Sequence, residues 1–177
     1  MIGDEKPEGE GGLPHVRHDR PETGSGGALA THVTFRHDLF LHADPALGVS
    51  GRWRSPPGRL LELDVRTRAP GRWLALHMKL DADDLSQARW LGFACRHAGE
   101  GELMIRPCLR SGTEKGFVDS FFAKHILATP EPFNHVDALF LPATRSIPTF
   151  APWRELVLFL PRESLRWHVH DLRPFLV

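Results

Sequence analysis

Leu74, Leu76, Met78 and Leu80 occupy every second position of one segment, with Ala75, His77 and Lys79 between them. A helix cannot gather such a set on one side, whereas a strand puts successive side chains on opposite faces. The same period of two recurs in Leu165, Trp167 and Val169. Strand-length apolar runs continue along the chain, at roughly 31–41, 60–67, 72–80, 89–97, 102–110, 116–128, 133–141, 155–161 and 164–171. Turn residues divide them, among them Ser55-Pro56-Pro57-Gly58, Ala69-Pro70-Gly71, Gly99-Glu100-Gly101 and Thr129-Pro130-Glu131-Pro132. Short strands at this spacing, without helical patterns between them, predict an all-β protein, a sandwich or a barrel. One short helix is expected where Asp83 or Asp84 can cap Leu85-Ser86-Gln87-Ala88.

The N-terminal part differs. Residues 1–27 hold seven Gly, three Pro and mixed charges, too little apolar surface to offset the entropy of ordering. We expect a flexible tail over 1–27 and one domain over 28–177. With 177 residues and 41% hydrophobic content, one core can be filled. Met1 to Lys6 lack the apolar stretch of a secretory signal and no run is long enough for a membrane-spanning helix, so a cytoplasmic protein without membrane contact is expected. Lys plus Arg equals Asp plus Glu at 22 each, which removes the overall basic field expected of a nucleic-acid binder.

Cys95 and Cys108 flank the presumed hairpin turn at 97–101. Cys95 shares a face with Leu91 and Phe93, while Cys108 is out of phase with Leu103, Ile105 and Leu109. The two thiols therefore point apart and are expected to be free.

Three constellations bear on function. If Leu74 to Leu80 face the core, Trp73, His77 and Lys79 face outward; by the same alternation so do Trp90 and Arg96, and Arg106 and Arg110. Indole stacks on the C–H face of a sugar ring, and Arg and His bond its hydroxyls, so these seven residues form the candidate ligand-binding set. The competing reading makes them ordinary sheet residues, with consecutive strands divided between two sheets.

His168 and His170 are two apart on a strand, the projection a metal centre needs. His125 or His135 would be a third ligand, and Glu155 or Asp137 a carboxylate. A cupin-like enzyme would follow, although the chain lacks the carboxylate and second half of the cupin pattern; two exposed histidines beside a core Val169 are the simpler account. Arg110-Ser111-Gly112-Thr113-Glu114-Lys115-Gly116 has the composition of an anion cradle but not the spacing of a phosphate loop, and reads as a hairpin turn.

Glu62 and Asp64 are sequence neighbours on one strand, poorly placed to straddle a glycosidic bond. No Gly-x-Ser-x-Gly elbow is present. No catalytic residue is assigned. Residues 142–153 read as a long ordered loop, on which Phe150 and Trp153 would anchor a protein partner.

The closing segments Trp153-Arg154-Glu155-Leu156-Val157-Leu158-Phe159-Leu160-Pro161 and Leu165-Arg166-Trp167-His168-Val169-His170-Asp171-Leu172 resemble the last strand pair of galactose-binding-like and carbohydrate-binding-module jelly rolls. Arg72 to Leu80 is similar to their central strands. The resemblance extends over 28–177 and implies an antiparallel jelly-roll sandwich, a noncatalytic carbohydrate-binding role on a sheet face or rim loops, and a structural calcium ion. A calcium-ligand pattern is not matched residue by residue.

Overall fold

A computed structural model describes residues 24–177. Residues 1–23, most of the expected tail, lie outside the described residues. In chain order the strands are β1 (Gly26–Ala28), β2 (His32–Arg36), β3 (Leu39–Ala43), β4 (Ser50–Arg54), β5 (Leu61–Arg66), β6 (Leu74–Leu80) and β7 (Trp90–Gly99). They continue with β8 (Leu103–Thr113), β9 (Gly116–Phe121), β10 (Ile126–Ala128), β11 (Phe133–Phe140), β12 (Arg154–Phe159) and β13 (Leu165–Leu176). Two single 3-10 turns, at Pro45–Leu47 and Leu141–Ala143, are the helical elements among the described residues. None of these is long and apolar enough to cross a membrane.

The strands form two antiparallel sheets. The first has the order β1-β4-β5-β13-β7-β11, and the second β10-β8-β12-β6-β3-β2, with β9 also paired to β8. Their inner faces close on one core. Leu39, Leu41, Leu74, Leu76, Met78, Leu156 and Leu158 come from the second sheet, and Leu61, Leu63, Phe93, Trp167 and Val169 from the first. The alternation therefore sorted the inward side chains correctly, as it must when one face of each sheet is buried. The all-β jelly-roll sandwich is the observed fold.

Local expectations are corrected at four places. The segment 31–41 is a hairpin, because His37 and Asp38 turn the chain and Asp38 accepts a 2.8 Å hydrogen bond from Arg36. Asp84 does not start a helix; its side chain accepts from the Ser86 amide, and its backbone bridges Phe150. The expected hairpin of β7 and β8 is a crossover. β7 bonds β11 and β13 in the first sheet, whereas β8 bonds β12, β9 and β10 in the second.

The fourth correction concerns β1 and β4, which carry almost no apolar alternation. Gly26 and Gly27, expected in the linker, pair with Arg54 and Trp53. Gly51 has a φ of +126°, and a Cβ there would lie 1.9 Å from the Asp64 carbonyl oxygen. Only glycine fits that approach.

Cys95 lies in the main core and Cys108 on the outer side of the second sheet, both free. Burial pushes both thiols up, Cys108 to about 12, so neither is a ready nucleophile.

His97 is in phase with Leu91, Phe93 and Cys95 and is fully buried, edge-on to Trp167. Neither ring nitrogen has a hydrogen-bond partner among the described residues. Burial, with smaller contributions from His135 and His170, pushes its pKa down to about 4. The unfolded chain binds a proton near 6.5 that the folded protein refuses, so stability is lost as pH falls from about 6.5 to about 4. This single group accounts for about 3 kcal/mol. Urea denaturation at pH 7.5 and 4.5 checks this: His97→Phe should lose much of the acid sensitivity, and a variant as acid-labile as the parent would contradict the assignment.

Candidate functional site: the outer face of the second sheet

Side chains in phase with Trp73, His77 and Lys79 form a continuous layer on the outside of the second sheet. Antiparallel register fixes their neighbours. Phe40, His77, Val157, Cys108 and Phe121 run across β3, β6, β12, β8 and β9. Beside them run His32, His42, Ala75, Phe159 and Arg106, and on the other side Lys79, Glu155, Arg110 and Asp119. Ala75, Val157 and Cys108 are fully covered although they face outward, forming a small apolar floor with Phe159 against it. The larger side chains around that floor therefore stand as a second layer.

That layer is held by specific contacts. Phe40 and His77 stack at 4.7 Å, and His77 Nδ1 donates to Glu155 Oε2 at 2.9 Å. Arg110 donates two hydrogen bonds to Asp119, at 2.7 and 2.8 Å, and its guanidinium lies 3.8 Å from the centre of the Phe117 ring. The Asp119 bonds raise the Arg110 pKa further. Arg106 lies 3.7 Å from the centre of the Phe121 ring. His42 packs edge-on to Trp73 at 6.0 Å, and burial, then His77 and His32, lower its pKa.

At one end this face deepens into a cleft of about 930 Å³. Trp73, Phe159, Phe121, Arg106, Met104 and His125 contribute to its walls. Aromatic walls next to Arg and His suit a ligand with both apolar faces and a hydroxyl-bearing edge.

Of the seven expected ligand-binding residues, the fold brings together five: Trp73, His77, Lys79, Arg106 and Arg110. Lys79 and Arg106 are exposed, Trp73 and Arg110 partly so; His77 is buried beneath its neighbours. Trp90 and Arg96 are separated from them because β7 belongs to the first sheet. Trp90 packs at 4.7 Å on Phe140, and Arg96 reaches Asn134 on β11. Phe40, His42, Phe121 and Phe159 were not singled out. For Phe40, His42 and Phe159 the signal lies in the intervening positions of strands whose alternate residues are core leucines: Phe40 and His42 between Leu39, Leu41 and Ala43, and Phe159 between Leu158 and Leu160; Phe121, alternating with Val118 and Ser120, carries no such signal.

The His168–His170 constellation does not assemble. His168 Nδ1 is 3.2 Å from Arg59 Nη1, a β-bulge interrupts the register between Val169 and Asp171, and burial, then Arg59 and Arg96, lower the His170 pKa. The suggested partners are dispersed. His125 lines the cleft on the second sheet and Glu155 bonds His77 there, while His135 stacks on core Phe93 and Asp137 accepts from the Lys124 amide. Among the described residues no group of three or more His, Cys, Asp or Glu could hold a metal ion.

Glu62 accepts from Arg54 and Arg59, which with His168 hold its carboxyl below the usual range despite burial. Asp64 faces Arg166 at 3.4 Å. The 110–116 segment is the β8–β9 hairpin, turning at Glu114 and Lys115 into Gly116, whose φ is +132°. In the 142–153 loop Phe150 is exposed and Trp153 packs over Gly112, where a Cβ would lie 2.5 Å from the indole nitrogen.

Comparison with protein-family models and with curated proteins returned no match. Comparison with solved structures places the fold among the β-sandwiches of carbohydrate-binding modules. A family 30 carbohydrate-binding module superposes with a TM-score of 0.53 at 15% identity, over 91% of this chain and 86% of that one. The CBM22-1 xylan-binding domain from Paenibacillus barcinonensis Xyn10C gives 0.51 at 8% identity, over 89% and 90%. The N-terminal cellulose-binding domain from Cellulomonas fimi β-1,4-glucanase C gives 0.52 at 11% identity, over 72% and 84%. At these identities the likeness is one of fold, and function rests on the site.

Proposed function

We propose that this protein is a noncatalytic carbohydrate-binding module that holds a glycan on the outer face of its second sheet. One observation carries the reading: Phe40, Trp73, Phe121 and Phe159 share a single sheet face with Arg106, His42 and Lys79. Rings supply stacking surfaces for the C–H faces of sugars, and the interleaved polar groups bond hydroxyls at the edges. Solved structures of like fold include xylan-binding and cellulose-binding domains, which supports the carbohydrate reading.

Affinity electrophoresis tests the proposal. Native gels cast with soluble xylan, hydroxyethyl cellulose, mixed-linkage glucan or a polyuronate should retard the folded protein in at least one case. Unchanged mobility across neutral and acidic polysaccharides would remove the reading.

A further inference from the structure

Arg106 and Arg110 stand two residues apart on the same side of β8, yet their surroundings differ. Arg110 spends its guanidinium on Asp119, through two hydrogen bonds of 2.7 and 2.8 Å. Arg106 has no carboxylate partner among the described residues. It lies directly over the Phe121 ring, 3.7 Å from its centre, and it is exposed to the cleft. Stacking on a ring face holds a planar guanidinium in orientation and leaves its N–H edges free.

Those edges open into the cleft beside Phe159, which sits opposite Arg106 in the register of β12 and β8. Trp73 is a further ring of the same cleft. The other charged residues lining it are Arg72, Arg162, Glu102 and Glu163, with His125. Three arginines line it with two glutamates, and Arg72 lies 4.0 Å from Asp44, which leaves Arg106 and Arg162 without a carboxylate partner among the described residues. An arginine held flat with its fork unused is shaped for a carboxylate, which takes two parallel N–H bonds, more than for a hydroxyl, which takes one.

We infer that this cleft takes an acidic sugar unit, a uronic acid, with its carboxylate on Arg106 and its ring against Phe159 or Trp73. The inference rests on the carbohydrate-binding reading and specifies the class of glycan. The cleft volume of about 930 Å³ is within the roughly 300–1,000 Å³ usual for ligand sites.

The test compares polyuronates with the same polymers after reduction of their carboxyl groups to alcohols, which keeps linkage and length. Polygalacturonate and glucuronate-bearing xylan serve as probes, with calorimetry on the full chain. The parent protein should bind at least one acidic polymer about tenfold more tightly than its reduced form. Arg106→Gln should erase that difference, bringing affinity for the acidic polymer down to that for its reduced form. Arg106→Lys, which retains charge but lacks the fork, should fall between them. Unchanged melting temperatures would establish that the variants fold.

Equal affinity for acidic and reduced polymers, or a preference that survives Arg106→Gln, would overturn the inference and leave the carbohydrate reading standing. Binding of neutral polysaccharides alone would do the same. Failure to bind any acidic or neutral polymer would overturn both.

Discussion

Replacing Arg154 by methionine is expected to destabilise the protein by about 3–5 kcal/mol, because it strands several buried hydrogen-bond acceptors at roughly 1–3 kcal/mol each. Arg154 is 1% exposed and stands in phase with Leu156 and Leu158, on the inward side of β12. Its Nε donates to the Ala82 carbonyl at 2.6 Å and its Nη1 to Ser111 Oγ at 2.6 Å. Its Nη2 donates to the carbonyls of Pro148 and Thr149 at 2.7 and 3.0 Å. One side chain thus ties the β6–β7 connection and the loop before β12 to the middle of the second sheet. Burial lowers its pKa, and Asp83 and Asp84 act the other way.

Methionine would fill much of the volume but leave these acceptors without their donor. Lysine would not repair the loss, because a single ammonium cannot reach acceptors spread around a planar fork. Urea denaturation at neutral pH measures the effect. A loss below about 1 kcal/mol would mean that the loop closes without this anchor.

The second large effect concerns binding. The double variant Trp73→Ala, Phe159→Ala should weaken glycan affinity at least tenfold, since aromatic contacts contribute roughly 0.5–1.5 kcal/mol each beyond the area they bury. Both rings line the cleft, and neither belongs to the fully buried core. Trp90→Ala supplies the control, because Trp90 lies on the first sheet against Phe140 and should leave affinity within about twofold of the parent. Calorimetry with whichever polysaccharide retards the parent protein distinguishes the two. Loss of binding in the Trp90 variant, with the double variant unaffected, would move the site to the opposite side of the sandwich.

The fold was legible because burial of one sheet face imposes a period of two that single residues rarely break. Leu74 to Leu80 and Leu165 to Val169 carry it plainly. β1 and β4 escaped notice because Gly26, Gly27 and Gly51 join their sheet through backbone bonding and close approach, which leave no apolar pattern. The crossover between β7 and β8 was equally hidden: a short glycine turn is compatible with a hairpin and with a change of sheet, and only pairing with distant strands decides between them.

That crossover is also why Trp90 and Arg96 stand apart from the other five residues of the expected site. Trp73 and Arg106 lie on one sheet with Trp90 on the other, although the alternation assigned each of them outward correctly. Polar residues in phase with the core, Arg154 and His97, were the most informative departures from the pattern. Each marks a place where tertiary structure accommodates a group that strand patterning alone would have excluded.

Backbone amide shifts recorded during titration with a bound oligosaccharide test the central claim most directly. The perturbed amides should cluster on β3, β6, β8, β9 and β12 around Trp73, Arg106, Phe121 and Phe159. Shifts concentrated instead on β5, β7, β11 and β13 would contradict a glycan site on the second sheet.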